Sequence, residues 1–372
     1  MPFHFYHQEK LDKTMSSGRL ARTVVLIFVL IFSTLVLAQL PSFEMLINPT
    51  VSPTWSNYAL SKNGKVMAAN YGGRIYRWSA DTPKFPSGGF TLLDQGAFLS
   101  SSIGISQDGS TIIASRTGPD GNVNPAIWSP ATGWIDMGHP GNGCVMDSQW
   151  GSGYGVSGDG SIAVGLAWYC PGAEGFMWNR SGGMIGLSHP AGASSRASAI
   201  SADGRTIVGF FEDPQYGNRR PVLWISRKTS LFAGAHTPGE ATGVSSDGSK
   251  IVGQTFNQYS GYAFYYTPKR GLVSLGTISG NPFDQSFANA VADNGTTVGW
   301  SGDPFGAGIQ AFIWSPTIKM QSLQRYLQNR GVLIPSGISL TTALDISSDG
   351  STIVGTWQDA QFNQGGWMVR LK

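Results

Sequence analysis

One phrase recurs seven times along the chain, and this repeat restricts the possible folds more than any other feature. The common pattern is small residue, aliphatic residue, Ser, any residue, Asp or Asn, Gly, and then a β-branched run ending in a small residue, as in GVSGDGSIAVG. The sixth copy has Ala292 in place of Ser, and the seventh begins with Asp345. The turn glycines are Gly64, Gly109, Gly160, Gly204, Gly248, Gly295 and Gly350. Their mean spacing is about 48 residues, which falls in the range of propellers and solenoids.

Each copy predicts a β-hairpin followed by two further strands. Asp-Gly or Asn-Gly between β-branched runs supplies the positive-φ position of a tight hairpin turn. A strand with a central aromatic residue follows 14 to 20 residues later, and a short apolar run such as GLVSLG completes the unit. The aromatic residues are Trp78, Trp128, Trp178, Trp224, Tyr266, Trp314 and Trp367. Four short strands per repeat without helices predict the blades of a seven-bladed β-propeller, in which these rings pack between blades.

The two ends of the repeat region predict how the ring closes. The last copy stops in its third strand at GGWMVRLK, whereas PSFEMLIN, residues 41–48, precedes the first hairpin without a partner. We expect this N-terminal strand to complete the seventh blade, because a closed ring leaves no free sheet edge. Between blades six and seven, Met320, Leu323 and Leu327 share one face of a predicted inserted helix that Gly331 would cap. The prediction is an all-β propeller domain over residues 39–372.

The first 38 residues have the pattern of a secretory signal peptide. Arg19 and Arg22 precede an apolar run from Val24 to Leu37, and Ala38 ends a short segment of small and apolar residues. We expect cleavage after Ala38 and export to the periplasm, the cell envelope or the medium. Retention of the run as an uncleaved anchor stays open, although a spanning helix needs roughly 20 apolar residues.

Two cysteines fit an exported chain. Cys144 lies in the connection between blades two and three, and Cys170 lies in the second-to-third loop of blade three. Both positions belong to the same end of the blades, so we expect a disulfide in an oxidising compartment. No other cysteine is present, which excludes a small scaffold held together by several disulfides.

Composition excludes several classes of protein. The chain is 41% hydrophobic with a net charge of only +3, whereas disordered chains are poor in apolar residues and strongly charged. Residues 1–38 hold four basic and two acidic side chains, which leaves +1 for the rest. Because nucleic-acid binding needs clustered Lys and Arg, we expect no nucleic-acid partner. Among the 50 glycines, those of the repeats serve tight turns, and no phosphate-binding loop or catalytic nucleophile elbow is present.

The repeat unit S-x-D-G-x-T-I-V-G, then A-F-x-W-S-P, then G-M-x-x-L-G resembles the HAF family of probable extracellular repeats, bacterial exported proteins. The resemblance covers about residues 55–372 and implies an exported repeat protein. Two copies depart from the unit: the first has Asn63 for Asp, and the sixth is one residue short before Gly299. The turn is also similar to the Asp-box of sialidases but lacks the aromatic residue that ends that box, so the turn does not support a glycosidase.

The repeated aspartates of the turns are interpreted as structural, since a carboxylate at a hairpin tip accepts backbone N–H groups. The mature histidines His139, His189 and His236 follow the fourth strands of successive blades, too far apart for the bonds of about 2 Å that zinc requires. We therefore expect neither a metal nor a cofactor.

The second-to-third loops and the blade connections share one end of the propeller, which we call the loop face. Aromatic side chains beside carboxylates on such loops can bind sugars or a protein partner. The candidate binding residues are Trp168, Tyr169, Glu174, Phe211, Asp213, Tyr216, Tyr259, Trp300, Asp303, Trp357 and Asp359. Ordinary loop decoration is the alternative interpretation.

We expect a monomeric, non-catalytic exported protein whose loop face binds a glycan or an envelope protein. The alternative is a secreted polysaccharide hydrolase or lyase with Glu174, Asp213 or Asp303 as acid or base. Glycosidase chemistry needs two carboxyl groups roughly 5 to 10 Å apart, and no such pair is specified by the sequence.

Overall fold

Antiparallel strand pairing organises the part of the chain that the computed structural model describes. These residues are 41–46, 56–80, 89–96, 102–118, 121–138, 151–169, 172–232, 237–257, 260–305 and 308–371. Within them, 28 strands form seven four-stranded antiparallel sheets. The predicted seven-bladed β-propeller is therefore confirmed. The signal-peptide prediction for residues 1–38 and the Cys144–Cys170 disulfide lie outside the described residues.

The blades are numbered in chain order, and the first strand, β1 (Ser42–Leu46), belongs to the last of them. Blades 1 to 3 contain β2 (Ser56–Leu60), β3 (Val66–Tyr71), β4 (Arg74–Ser79), β5 (Phe90–Asp94), β6 (Ile103–Ile105), β7 (Ile112–Thr117), β8 (Val123–Ser129), β9 (Gly133–Asp136), β10 (Gly151–Val156), β11 (Ile162–Tyr169), β12 (Gly172–Asn179) and β13 (Gly183–Gly186). Blades 4 to 6 contain β14 (Ser195–Ile200), β15 (Thr206–Glu212), β16 (Arg219–Ile225), β17 (Lys228–Leu231), β18 (Gly239–Val244), β19 (Ile251–Phe256), β20 (Gly261–Thr267), β21 (Gly271–Gly276), β22 (Gln285–Val291), β23 (Thr297–Asp303), β24 (Gly308–Trp314) and β25 (Gln321–Ser322). Blade 7 contains β26 (Ile338–Ile346), β27 (Thr352–Asp359) and β28 (Gln364–Arg370) together with β1.

Strand β1 closes the ring as the sequence predicts. It pairs antiparallel with β28, from Ser42 opposite Arg370 to Leu46 opposite Gly366. The ring of Phe43 stacks on the fully buried Trp367, with ring centroids 6.5 Å apart. The seventh blade thus takes its outer strand from one end of the described chain and its other three strands from the opposite end.

The predicted helix lies between blades 6 and 7 as α1 (Leu323–Gln328). Leu323 and Leu327 are fully buried in the core that blades 6 and 7 share. Gly331, at φ +77°, donates its N–H to Gln328, and the next N–H, of Val332, is donated to Leu327. This pattern is a Schellman motif, so Gly331 has the capping role predicted for it.

The hairpin tips owe their shape to a buried serine and an aspartate. In blade 4, the Ser201 hydroxyl donates to Asp203 Oδ1 at 2.6 Å and accepts the N–H of Thr206 at 3.0 Å. The same Asp203 oxygen accepts the N–H of Arg205. Blades 2, 3, 5 and 7 repeat these three bonds, and blade 1 repeats them with Asn63. The structural interpretation of the turn aspartates agrees with this geometry.

The seven tips are also bonded to one another in a closed circle. Six links are backbone N–H to C=O bonds, and the seventh is the bond from the Asp247 N–H to Asp293 Oδ1, all between 2.8 and 3.1 Å. The six backbone links run from Asn63 to Gln107, Gln107 to Gly158, Gly158 to Ala202, Ala202 to Ser246, Asp293 to Ser348 and Ser348 to Lys62. The residue between Ser and Asp in the phrase therefore joins each blade to the next. We call this end of the propeller the turn face.

The tip aspartates should make stability fall in acid. Hydrogen bonds from the Ser157 and Ser201 hydroxyls, with backbone N–H groups, hold the pKa of Asp159 and of Asp203 below the usual range. Burial pushes the pKa of Asp108 and of Asp247 upward, but similar hydrogen bonds outweigh it, so both are also lowered. A lowered folded-state pKa stabilises the fold above the unfolded value of about 3.9 and loses that contribution as the pH drops toward the folded value.

We expect the thermal midpoint, followed by circular dichroism, to decline between about pH 4 and pH 2. The matched variant carries Asn at positions 108, 159, 203 and 247, because Asn63 and Asn294 already accept the same backbone N–H in blades 1 and 6. Its decline should be shallower, and an equal decline in both proteins would refute this role for the aspartates.

The small residue that ends each β-branched run is either glycine or alanine, and the shape of the neighbouring inner strand determines which of the two fits. The inner strands of blades 3 to 7 each contain a β-bulge, which adds one residue to the strand, and blade 7 has a second register shift between Leu340 and Thr342. In these blades the second strand has glycine opposite the inner strand: Gly165, Gly209, Gly253, Gly299 and Gly355. A Cβ at any of them would come far inside 3.0 Å of an inner-strand carbonyl oxygen. Blades 1 and 2 have no register shift between these two strands and carry Ala69 and Ala114 instead.

Candidate functional site

The first strands of all seven blades line a central channel of about 450 Å³. In blades 3 to 7 the extra residue of the bulge contributes to its wall: Tyr154, Ser198, Thr242, Asn289 and Leu344. Two of these side chains also join neighbouring blades, since Thr242 donates to the carbonyl of Ala288 and Asn289 donates to the carbonyl of Ala343. The wall is thus largely polar and held in place from blade to blade.

Seven equivalent positions, one in or directly before the first strand of each blade, carry residue types that vary between blades. These positions lie four residues before the first tip residue in blades 1 and 2, and five before it in the bulged blades. They are occupied by Asn57, Ser102, Ser152, Arg196, Glu240, Phe287 and Thr342, and all of these except Ser152 and Thr342 line the channel. The next residue of each first strand is glycine or alanine in blades 3 to 7, whereas blades 1 and 2 have Tyr58 and Ile103. The tips repeat one motif. Residues that are the same in every blade maintain the blade structure. The residues that differ between blades, which we call the varied level, are therefore the ones that can recognise an asymmetric ligand.

Two arginines share one buried carboxylate at this level. Glu240 has a side chain only 7% exposed, and its Oε2 accepts hydrogen bonds from Arg219 Nη1 at 2.6 Å and Arg196 Nη2 at 3.3 Å. Arg196 also donates from Nε to Ser198 at 3.1 Å. Arg219 remains 44% exposed. The three side chains together carry a formal charge of +1 at the loop-face end of the channel.

Aromatic rings surround the two arginines. The Arg196 guanidinium lies 4.9 Å from the ring of Tyr154 and 4.8 Å from that of Phe210, and the Arg219 guanidinium lies 4.4 Å from the same Phe210 ring. In blade 6, Phe287 at the varied level stacks parallel to its cross-strand partner Trp300, with centroids 6.2 Å apart. The end of the channel that faces the loops therefore combines fixed guanidinium groups with partly exposed rings.

The opposite end of the channel is neutral. Asp345 accepts the N–H groups of Leu60 and Ile346 at 2.8 Å, and Lys62 Nζ lies 3.4 Å from its Oδ1. These contacts join blade 7 to blade 1 and account for both charges. The positive charge of the group formed by Arg196, Arg219 and Glu240 therefore lies at the loop-face mouth.

The loop face exposes most of the large apolar side chains that protrude from the described residues. Trp168 is 49% exposed and Tyr216 is 63% exposed, so both predicted residues are accessible on this face. The blade connections and second-to-third loops add four more exposed residues: Phe283, Phe305, Leu333 and Phe362. Only Leu92, Val273 and Ile225 lie elsewhere, on outer strands or at a turn-face hairpin.

Three of the predicted aromatic residues are less available than expected. Phe211 is 7% exposed and packs in the core between blades 3 and 4, because β15 continues to Glu212 and turns this side chain inward. It does not belong to the binding surface. Trp357 is half-buried against Gly365, and its buried indole N–H has no hydrogen-bond partner in the described structure. Trp300 is partly exposed in its stack with Phe287.

Three of the predicted carboxylates hold their own loops. Asp213 accepts the N–H of Gln215 and pairs with Arg220, and the backbone hydrogen bond is the main reason that its pKa is lowered. Asp303 accepts the N–H of Phe305. Asp359 accepts the N–H groups of Gln361 and Asn363, and the Asn363 side-chain hydrogen bond is the main cause of its lowered pKa. The lowered pKa of Asp213 and of Asp359 keeps both carboxylates ionised near neutral pH.

Glu174 has a different environment. It lines a pocket of about 120 Å³ between blades 3 and 4, where its Oε1 lies 3.4 Å from His189 Nε2. Burial raises the pKa of Glu174, and the neighbouring His189 opposes the shift only in part. The Nδ1 of His189 contacts the carbonyl oxygen of Pro190 at 3.0 Å. The pocket has no second carboxylate among its described residues.

Some predicted residues lie beyond what the structure describes. Tyr259, Cys144 and Cys170 fall outside the described ranges, and of Tyr169 only the backbone is described. Within those ranges no group of three His, Cys, Asp or Glu side chains could hold a metal ion. No helix in the described part of the chain is long and apolar enough to cross a membrane.

The fold and the channel define the class of the domain as a seven-bladed β-propeller. Among solved structures, it is similar to the propeller domain of the Trilobed protease from Pyrococcus furiosus, with a TM-score of 0.57, 12% identity, and coverage of 86% of this chain and 95% of that one. It is also similar to an oligogalacturonate lyase from Vibrio parahaemolyticus, with a TM-score of 0.55, 12% identity, and coverage of 90% and 97%. The Cps50 (Swd1) propeller of Myceliophteria thermophila follows, with a TM-score of 0.52, 10% identity, and coverage of 89% and 99%. At these identities the similarity establishes the fold alone. No family model and no curated protein sequence matches the chain.

Proposed function

We propose that this chain is a non-catalytic β-propeller of the HAF type, exported by its N-terminal leader, which binds a glycan or an envelope protein through the loop face. One observation carries the proposal. Of nine large apolar side chains that are exposed in the described residues, six lie on the loop face, around the mouth of a polar channel. Exposed aromatic residues on rigidly held loops are a frequent basis of recognition.

Binding should depend on Trp168 and Tyr216. The single variants Trp168→Ala and Tyr216→Ala remove exposed rings that pack little against the core, so their thermal midpoints should stay near that of the original chain. On a glycan array and against purified envelope proteins, each should weaken binding to the captured ligand by about tenfold, the effect of losing one well-packed aromatic contact.

Ile225→Ala is the matched control, because Ile225 is 53% exposed but lies at a turn-face hairpin. Its binding should equal that of the original chain. Loss of binding in Ile225→Ala, or unchanged binding in both loop-face variants, would refute the loop face as the binding surface.

A hydrolase or lyase is the second candidate, and the raised pKa of Glu174 in its pocket is the observation that favours it. The missing second carboxylate speaks against glycosidase chemistry there. A screen of polysaccharide substrates with the original chain and Glu174→Gln tests this alternative. Activity that Glu174→Gln abolishes would replace the binding proposal, and absence of activity on all substrates would exclude the hydrolase or lyase.

A further inference from the structure

We propose that the loop-face mouth of the central channel is a subsite for an acidic saccharide, in which Arg219 and Arg196 receive a sugar carboxylate. This inference rests on the proposed binding function and specifies its ligand. The site combines the varied level of blades 4 to 6, which is Arg196, Glu240 and Phe287, with two side chains that contact it from neighbouring strands: Arg219 of β16 and Trp300 of β23.

The positive charges of Arg196 and Arg219 favour a carboxylate as the ligand group. Glu240 uses a single oxygen to hold both arginines, so these three side chains together carry one positive charge. Glu212 lies opposite Arg219 in the strand pair β15–β16 and balances this charge formally, but it forms no ion pair with Arg219 within 4.0 Å, so direct contact does not neutralise the guanidinium. Arg219 commits only Nη1 to the described residues, which leaves its other guanidinium nitrogens free to donate. A guanidinium binds a carboxylate through two parallel hydrogen bonds, so its planar shape fits this ligand group.

The guanidinium groups of Arg196 and Arg219 are already held in place by aromatic rings. The stack of Arg196 between Tyr154 and Phe210, and the position of Arg219 over the same Phe210, hold both guanidinium groups before a ligand arrives. A bound carboxylate therefore orders few additional side chains, which lowers the entropic cost of binding.

The other side chains of the channel wall suit a sugar that bears the carboxylate. Short hydroxyl and amide side chains line the channel, and they suit a ligand with many hydroxyl groups: Asn57, Ser102, Ser198, Thr242 and Asn289. In blade 6 the partly exposed ring of Phe287, which lines the channel and stacks on Trp300, offers a face against which a sugar ring can pack. The volume of about 450 Å³ lies within the ordinary range for small-molecule sites.

The test compares an oligogalacturonate with its fully methyl-esterified form by isothermal titration calorimetry on the original chain. Esterification keeps the sugar rings and removes the charge, so the ester should bind at least about tenfold more weakly, as expected for loss of a charge-assisted hydrogen bond. An oligoglucuronate serves as a second acidic probe and should bind if the carboxylate is the group recognised. Equal binding of acid and ester would overturn the inference.

Variants locate the subsite. Arg219→Gln should weaken binding of the acid by about tenfold or more and leave binding of the ester nearly unchanged. Arg220→Gln is the matched control, because Arg220 is the next residue of β16, points to the opposite face of the sheet and pairs with Asp213. Its affinity should stay within about twofold of the original value. Equal losses in the two variants would place the carboxylate elsewhere and overturn the subsite. If Arg219→Gln fails to fold, Arg219→Lys takes its place, since it keeps the charge beside Glu240 and should still weaken binding by losing the two-pronged geometry.

The outcomes separate this inference from the proposed function. If the protein binds neither acidic sugar but binds another ligand, and Trp168→Ala weakens that binding, the acidic subsite is refuted. The proposed loop-face function is then retained. A chain that binds nothing on the array and none of the acidic probes refutes both.

Discussion

Replacement of Trp367 by alanine should lower the free energy of unfolding by about 3 to 5 kcal/mol, the range measured for large aromatic residues removed from cores. Trp367 is fully buried, lies against Gly355 and donates its indole N–H to the carbonyl of Thr356 at 2.8 Å. It also stacks on Phe43 of the closing strand β1. The substitution therefore leaves a cavity at the seam where the ring closes, and the Thr356 carbonyl loses the indole hydrogen bond but keeps the one from the Thr341 hydroxyl.

Chemical denaturation followed by tryptophan fluorescence and circular dichroism measures this effect. Trp367→Phe is the control, because it keeps a ring against Phe43 and loses the indole N–H, and its cost should be clearly smaller. A loss below about 1 kcal/mol for Trp367→Ala would mean that the closing blade contributes little to stability.

Alanine at Gly299 should cost about 3 kcal/mol, at the upper end of the range for an overpacked core. Its Cβ would meet the carbonyl oxygen of Phe287 and the ring of Phe312, and the backbone oxygen cannot move without displacing the bulged strand β22. The same substitution should also disturb the channel wall, since Asn289 belongs to that bulge.

Ala114→Gly is the comparison for this prediction. Ala114 occupies the corresponding position of blade 2, where the register of β6 and β7 shows no bulge and a methyl group fits. Its replacement should cost only about 1 kcal/mol, chiefly from backbone entropy. Thermal denaturation of the two variants in parallel measures the difference, and equal costs would show that the bulge does not impose glycine.

Local chemistry made most of the fold predictable. The Asp-Gly turns and the strands around Trp178 or Trp314 are recognisable within a few residues, and counting strands left only residues 41–48 to complete blade 7. The choice between glycine and alanine at Gly299 or Ala114 was not predictable, because it depends on whether a different strand carries an extra residue. The inner strands that carry the extra residue, such as β22, mix polar and apolar residues in no distinctive order, so the sequence does not mark the bulge.

The candidate site was only partly predictable. Trp168 and Tyr216 were found because turns and strand ends usually expose their side chains. Phe211 was misplaced because β15 extends one residue beyond it, and Arg196 and Glu240 were missed because a charge within a strand carries no local signal of a channel. Counting back five residues from Ser201 and Ser245 in the aligned copies would have shown both charges at one level of the ring.

The pairing of β1 with β28 has a consequence for the order in which the molecule assembles. Phe43 and Val369 are register partners although almost the whole repeat region separates them in the chain. The strand that is synthesised first thus finds its partner only when the last strand exists, and contacts of such long sequence separation form slowly. Blades 1 to 6 can each form from a continuous stretch, but the ring stays open during synthesis. Closure of the ring is therefore the last step of assembly, because it needs the residues of β28.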